Sequence, residues 1–378
     1  MKTIPCTFMR GGACKGVIFH RSDLPEDVSK WDNIFIQVMG SPDPKQVDGL
    51  GGGTSSNNKV VVVSPSEREG IDVDYTTVQV IPDKPQADYK SNCGNMTSTV
   101  GPFAVDEGLV EVNEPFTIVK AFNTNTEKVV ELKVPVENGK AATKGTYKFA
   151  GVLGTAPELS LTFKDPAGTV TGKLLPTGNK IDTLEIPDYG PIEMTIIDVA
   201  SPLVIIRAKD IGLKGKELPG QLNNNNEFIE LIRKIRGVAS QRIGLVDNWE
   251  DVESVTPALP KVAFFSEAQD YVSLESETVS KEEMDFCTRI VSLQKVHNAY
   301  VFTGAIAMAV AANLKGSILN NFLTEKDLSK LVRIGHPSGI MPVSLDILNE
   351  GDTFEVKGVT LKSTARKIMK GVVYVDDF

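Results

Sequence analysis

One pattern limits this chain more than any other: a strand, a tight turn, a second strand and an acidic–aliphatic pair, appearing once in each half. The first copy spans Thr3 to Pro25, with Ile4–Met9, the turn Arg10-Gly11-Gly12, Gly16–Phe19 and then Asp23-Leu24. The second spans Glu193 to Leu213, with Met194–Ile197, the turn Ala200-Ser201-Pro202, Leu203–Ile206 and then Asp210-Ile211-Gly212. Downstream of each copy, Cys93-Gly94-Asn95 opens one apolar helix and Thr303-Gly304 opens or interrupts another. Two related domains follow, 1–185 and 186–378, linked near Asp182–Gly190, with a last strand able to pack on the first domain. A chain of 378 residues has length enough for both.

The elements read as a mixed α/β (α+β) fold. Lys59–Val63 is an apolar strand and Val73–Val80 alternates with period two. Phe116–Phe122 and Lys128–Val134 flank the Asn/Thr-rich turn Asn123–Thr126 as a hairpin. The spacing predicts a helix from Asn226, capped by that residue and stopped by Gly237. It predicts a second from Lys281 to about His297, and a third in the Ala-rich stretch after Gly304.

Charge and composition exclude several classes. A net charge of −9 opposes general nucleic-acid binding, so cations for an anionic substrate must be concentrated locally. Cys6, Cys14, Cys93 and Cys287 are too scattered for a disulfide scaffold. His20, His297 and His336 lack metal-ligand spacing, so no metal is expected. The run from Tyr300 to Leu314 falls short of the ~20 residues that span a bilayer. The first residues leave no room for a signal peptide, which gives a cytoplasmic expectation and no membrane partner.

Three segments combine glycine with reactive side chains. Arg10-Gly11-Gly12-Ala13-Cys14-Lys15-Gly16 is either a tight turn or a place where backbone N–H groups approach a carboxylate. Asp48 to Lys59 is a glycine- and hydroxyl-rich loop, with Ser55 and Ser56, that delivers a lysine to an apolar strand. Lys59 is a snorkelling surface lysine or, if desolvated there, a usable base. Asn92-Cys93-Gly94-Asn95-Met96 holds either a buried structural cysteine or, as the flanking Gly and Asn favour, a thiol at a helix entry where unpaired N–H groups favour the thiolate. Further on, Arg333–Gly339 and Ser363–Arg366 are either turns and no more or carry carboxylate contacts, with His336 as a donor, Arg366 as a bidentate clamp and Arg333 as a further local cation.

In order, Arg10-Gly11-Gly12-x-x-Lys15-Gly16, Gly40-Ser41-Pro42-Asp43, Asp48-Gly49, Ser55–Lys59, Asn92-Cys93-Gly94-Asn95, Pro176-Thr177-Gly178-Asn179, Gly335-His336-Pro337-Ser338-Gly339 and Thr364-Ala365-Arg366 resemble the PrpF family. The resemblance implies two similar diaminopimelate-epimerase-like domains, each a curved sheet wrapped around a central helix. It implies a cofactor-independent isomerase that shifts a C=C bond in a small di- or tricarboxylic acid such as aconitate, methylitaconate or oxalomesaconate. Lys59 and Cys93 fall on the family's proton-transfer residues. Lys15, Cys14, Ser55, Ser56, Gly94, Asn95, Met96, Thr303, Gly304, His336, Ser338 and Arg366 are the expected substrate contacts. The family's first motif usually carries Thr-Ser where this chain has Ala13-Cys14, so two hydroxyls become a methyl and a thiol. The partner is then a small polycarboxylate, with room for a homo-oligomer. Two rivals remain: an amino-acid or hydroxy-acid epimerase, for which Cys287 would supply the second thiol, and a non-catalytic accessory of a metabolic enzyme.

Overall fold

The structure is a computed structural model that describes residues 1–90, 92–323, 327–350 and 353–376. Its contacts divide it into two units, Met1–Thr162 with the last strand, and Phe163–Leu361.

In the first unit, β1 (Lys2–Gly11) and β2 (Cys14–His20) form an antiparallel hairpin, followed by α1 (Trp31–Met39). Next, β3 (Lys59–Pro65) runs parallel to β2, and β4 (Val73–Val80) antiparallel to β3. After β5 (Ala87–Asp88) comes α2 (Gly94–Asp106), then the hairpin β6 (Phe116–Asn123) and β7 (Lys128–Glu137). The last strand, Ala365–Val375, pairs antiparallel along the whole of β1. That ladder places it with the first unit.

The period-two alternation of these strands sorts their side chains onto two faces. Ile4, Phe8, Val17, Phe19, Val60, Val62, Val78 and Val80 pack in one cluster with Ile34, Phe35 and Val38 of α1. Residues of the other parity, among them Cys14, Lys59 and Gln79, therefore point to the opposite face. There α2 lies, tied by Tyr75 Oη to Thr97 Oγ1 at 3.2 Å and by Ser98 to Ser363 at 2.7 Å. Gly94 to Val105 are all buried, the mark of a helix enclosed on every side. Each large apolar side chain on it, such as Met96 or Phe103, contributes roughly 1.5–3 kcal/mol by burial.

The second unit repeats the order. Gly190–Asp198 and Pro202–Arg207 form an antiparallel hairpin, followed by the 3-10 turn Ala208–Ile211 and the helix Asn226–Arg242. Lys261–Glu267 is parallel to the second hairpin strand, and Phe286–Ser292 antiparallel to Lys261–Glu267. The helix Phe302–Asn313 is then buried throughout. The duplication seen in the sequence is thus a repeated topology.

Three expectations are corrected. Lys281–His297 is not a helix, because Phe286–Ser292 is a strand. Its apolar residues are buried on both faces, and such a run cannot be told from a buried helix by periodicity. The 226 helix is capped by Asn225, whose Oδ1 accepts from Phe228 N at 3.1 Å, and it continues through Gly237 to Arg242. Gly237 is needed for close packing, since a Cβ there would sit 2.4 Å from the Trp249 carbonyl oxygen. The 182–190 stretch is no link, because Asp182–Ile186 pairs with Gly190–Met194. The contacts divide after Thr162, where the sequence suggested 185. Among the described residues no helix is long and apolar enough to cross a membrane, and no cluster of His, Cys, Asp or Glu could hold a metal.

Candidate active site

The turn between β1 and β2 rests on the start of α2. Ala13 N donates to Asn95 Oδ1 at 3.1 Å. Gly12 has φ +51°, and a Cβ there would lie 2.1 Å from Asn95 Oδ1, so only glycine fits. Arg10 closes the turn from behind, its Nη1 donating to Gly12 O at 2.9 Å and to Thr364 Oγ1 at 2.9 Å.

This contact brings Cys14 to Cys93. Cys93 is the N-cap residue of α2, and its side chain makes no capping bond. The first N–H groups of any helix have no intrahelical acceptor and favour an anion beside them. Cys14 donates a hydrogen bond to Cys93. That bond, then burial and the charge at Cys93, hold the Cys14 thiol well above its ordinary pKa, against the opposing influence of Lys59. Both cysteines are buried, and they are not joined in a disulfide.

Lys59 reaches the same face from β3. Its neighbour in the parallel ladder is Gly16, where a Cβ would lie 2.1 Å from Lys59 O, so glycine lets the two strands meet. Lys59 Nζ donates to Gln79 Oε1 directly across the β3–β4 ladder. Ser55 and Ser56 lie half-buried in the short 3-10 turn just before Lys59. Gly94, Asn95 and Met96 are the buried first turn of α2.

Two expected contacts of the first unit lie elsewhere. Lys15 and Arg366 both stand opposite Arg10 in the ladders flanking β1, whereas Cys14 stands opposite Gly11. Alternation therefore sends the Lys15 and Arg366 side chains to the face away from α2, and Lys15 Nζ sits 5.6 Å from the Phe8 ring centroid.

In the second unit, Thr303 and Gly304 open the buried helix Phe302–Asn313, which has no side-chain cap and no acidic residue in its first turn. His336 ends the strand Leu331–His336 and is fully buried. Ser338 N donates to its Nδ1 at 3.3 Å, so the neutral ring carries its proton on Nε2. Burial, then Arg289 and His297, push the His336 pKa down to about 3. Among the described residues, His336 Nε2 and Thr303 Oγ1 are buried without a hydrogen-bond partner. Ser338 Oγ is spent on Asn298 O at 2.8 Å, and Arg333 on Asp285 at 2.8 Å. Cys287 is the second residue of the strand Phe286–Ser292, its thiol pushed up by burial, 3.3 Å from Met284 Sδ. A helix entry in this unit carries Thr303-Gly304 and no thiol, which weighs against the epimerase arrangement.

A family model described as "PrpF protein" matches residues 1–376. The chain belongs to the PrpF family. It is 40% identical to the 3-methylitaconate isomerase of Eubacterium barkeri, over 99% of this chain and 97% of that one. It is 35% identical to the 2-methyl-aconitate isomerase of Shewanella oneidensis, over 98% and 96%. A crystal structure of methylitaconate-delta-isomerase superposes with a TM-score of 0.80 at 38% identity, over 99% of this chain and 96% of that one. The PrpF relatives are isomerases, and so is this chain.

Gln79 and Asn58 escaped the sequence reading. Their only signal was polarity at buried positions, Gln79 in an apolar alternation and Asn58 just before Lys59, and neither has meaning until the β3–β4 register is known.

Proposed function

We propose that this chain shifts a carbon–carbon double bond in a small unsaturated di- or tricarboxylic acid of the methylitaconate, aconitate or oxalomesaconate class, by 1,3-proton transfer without a cofactor. The observation that carries this reading is the meeting of an amine and two thiols on one sheet face, at the uncapped start of a buried helix. A base removes the allylic proton, the electron pair shifts to form the new double bond, and a proton returns two carbons away. Lys59 and Cys93 are the groups for these transfers, with Cys14 holding Cys93 and the N–H groups of Gly94, Asn95 and Met96 stabilising the enolate-like charge. Within the second unit, Thr303 Oγ1 and His336 Nε2, buried without a partner, are donors of a kind that suits a carboxylate. Lys15, Arg366 and Ser338 have no part in this reading.

Proton NMR in deuterated water with a panel of these acids tests it. Double-bond migration with deuterium incorporation at the new C–H is expected, and Lys59→Ala should lower turnover by at least ~100-fold. A folded Lys59→Ala protein that keeps most of its activity would remove Lys59 from the mechanism.

A further inference from the structure

We infer that Gln79 is a positioning residue that aims the Lys59 amine without charging its surroundings. The inference rests on the reading of Lys59 as a proton carrier.

Gln79 is 2% exposed, and its three amide valences are all committed. Nε2 donates to Asn58 O at 3.0 Å and to Val80 O at 2.9 Å. A flipped amide would set its oxygen against those two carbonyls, so Oε1 must face Lys59. It accepts from Nζ there. The support extends behind Gln79. Asn58 is fully buried and gives Nδ2 to Thr54 O at 2.8 Å, while its Oδ1 accepts from Gln46 Nε2. Gln46 Oε1 in turn accepts from Gly53 N at 2.7 Å. The glycine-rich loop before Lys59 is thereby locked to the residue opposite it.

The choice of an amide has a chemical consequence. A carboxylate at this position would also accept from the lysine, but it would favour the ammonium form and oppose proton removal. A neutral acceptor takes one N–H and fixes the direction of the amine while leaving its charge state to the substrate. Orientation of this kind contributes to rate through the reacting geometry, and so appears in kcat more than in KM.

The test uses the full-length protein and an acid on which it shows turnover. Gln79→Glu is isosteric, and Gln79→Met removes the acceptor; Asn58 O would keep its second donor, Val80 N at 3.1 Å. Gln79→Met is expected to lower kcat by about 10–100-fold with KM changed less than about threefold. In Gln79→Glu the ascending limb of the kcat–pH profile should move up by roughly one pH unit or more. A folded Gln79→Glu with an unmoved limb, or a Gln79→Met that keeps kcat and loses kcat/KM through KM alone, overturns the inference. Loss of the folded state in both variants would assign Gln79 to the fold and overturn it equally. An active Lys59→Ala protein defeats the Lys59 reading instead, whatever the Gln79 variants do.

Discussion

The Cys14 thiol donates its hydrogen bond to Cys93, linking the β1–β2 turn to the head of α2. Leaving a buried donor or acceptor without its partner costs roughly 1–3 kcal/mol. Cys14→Ala should therefore slow turnover about 10–100-fold, while Cys14→Ser, which keeps a donor and restores the family's usual hydroxyl, should stay close to the parent. Initial rates of the three proteins decide this. Equal rates for Cys14→Ala and the parent would show that Cys93 works without it.

Arg10 stands directly between Lys15 and Arg366 in adjacent ladders, a row of three cations on one face. Among the described residues none of the three has an ion pair, and Arg366 helps to lower the Arg10 pKa after burial does so. Like charges placed directly opposite destabilise a sheet by a few tenths to about 1 kcal/mol. Arg366→Gln is accordingly expected to raise the melting temperature at low ionic strength, with the gain shrinking as salt screens the row. Melting curves at low and high salt check it, and a lower melting temperature at both would contradict it.

The repeated topology, the 116–134 hairpin and the Lys59 strand were legible because their patterns are local. Phe286–Ser292 was misread because burial on both faces erases the alternation that distinguishes a strand from a helix. At the site, Lys59 and Cys93 stood out by glycine and polar context. The placement of Lys15 and Arg366 could not be read that way, because it depends on which parity of β1 faces α1. A single residue of register reverses every side chain on a strand. Gln79 needed the same information.

His336 makes stability depend on pH in a direction that can be worked out. Its folded pKa is pushed to about 3, below the ordinary value of 6.5, chiefly by burial and then by Arg289 and His297. Between those values the unfolded chain binds a proton that the native state refuses. Stability is therefore full above about pH 6.5 and falls as pH drops toward 3, with a slope approaching ~1.4 kcal/mol per unit. From pH 7 to pH 5 this one group should cost about 2 kcal/mol. Urea unfolding at the two pH values measures it, and His336→Gln should remove that part of the difference. The same shift means that the ring stays neutral, with Nε2–H available as a donor, at any pH where the enzyme would work. If His336 meets a substrate carboxylate as proposed, substituting it should weaken substrate binding without displacing either limb of the kcat–pH profile. A displaced limb would mean that the imidazole titrates during turnover, and that the His336 side chain is not sealed from solvent as its burial indicates.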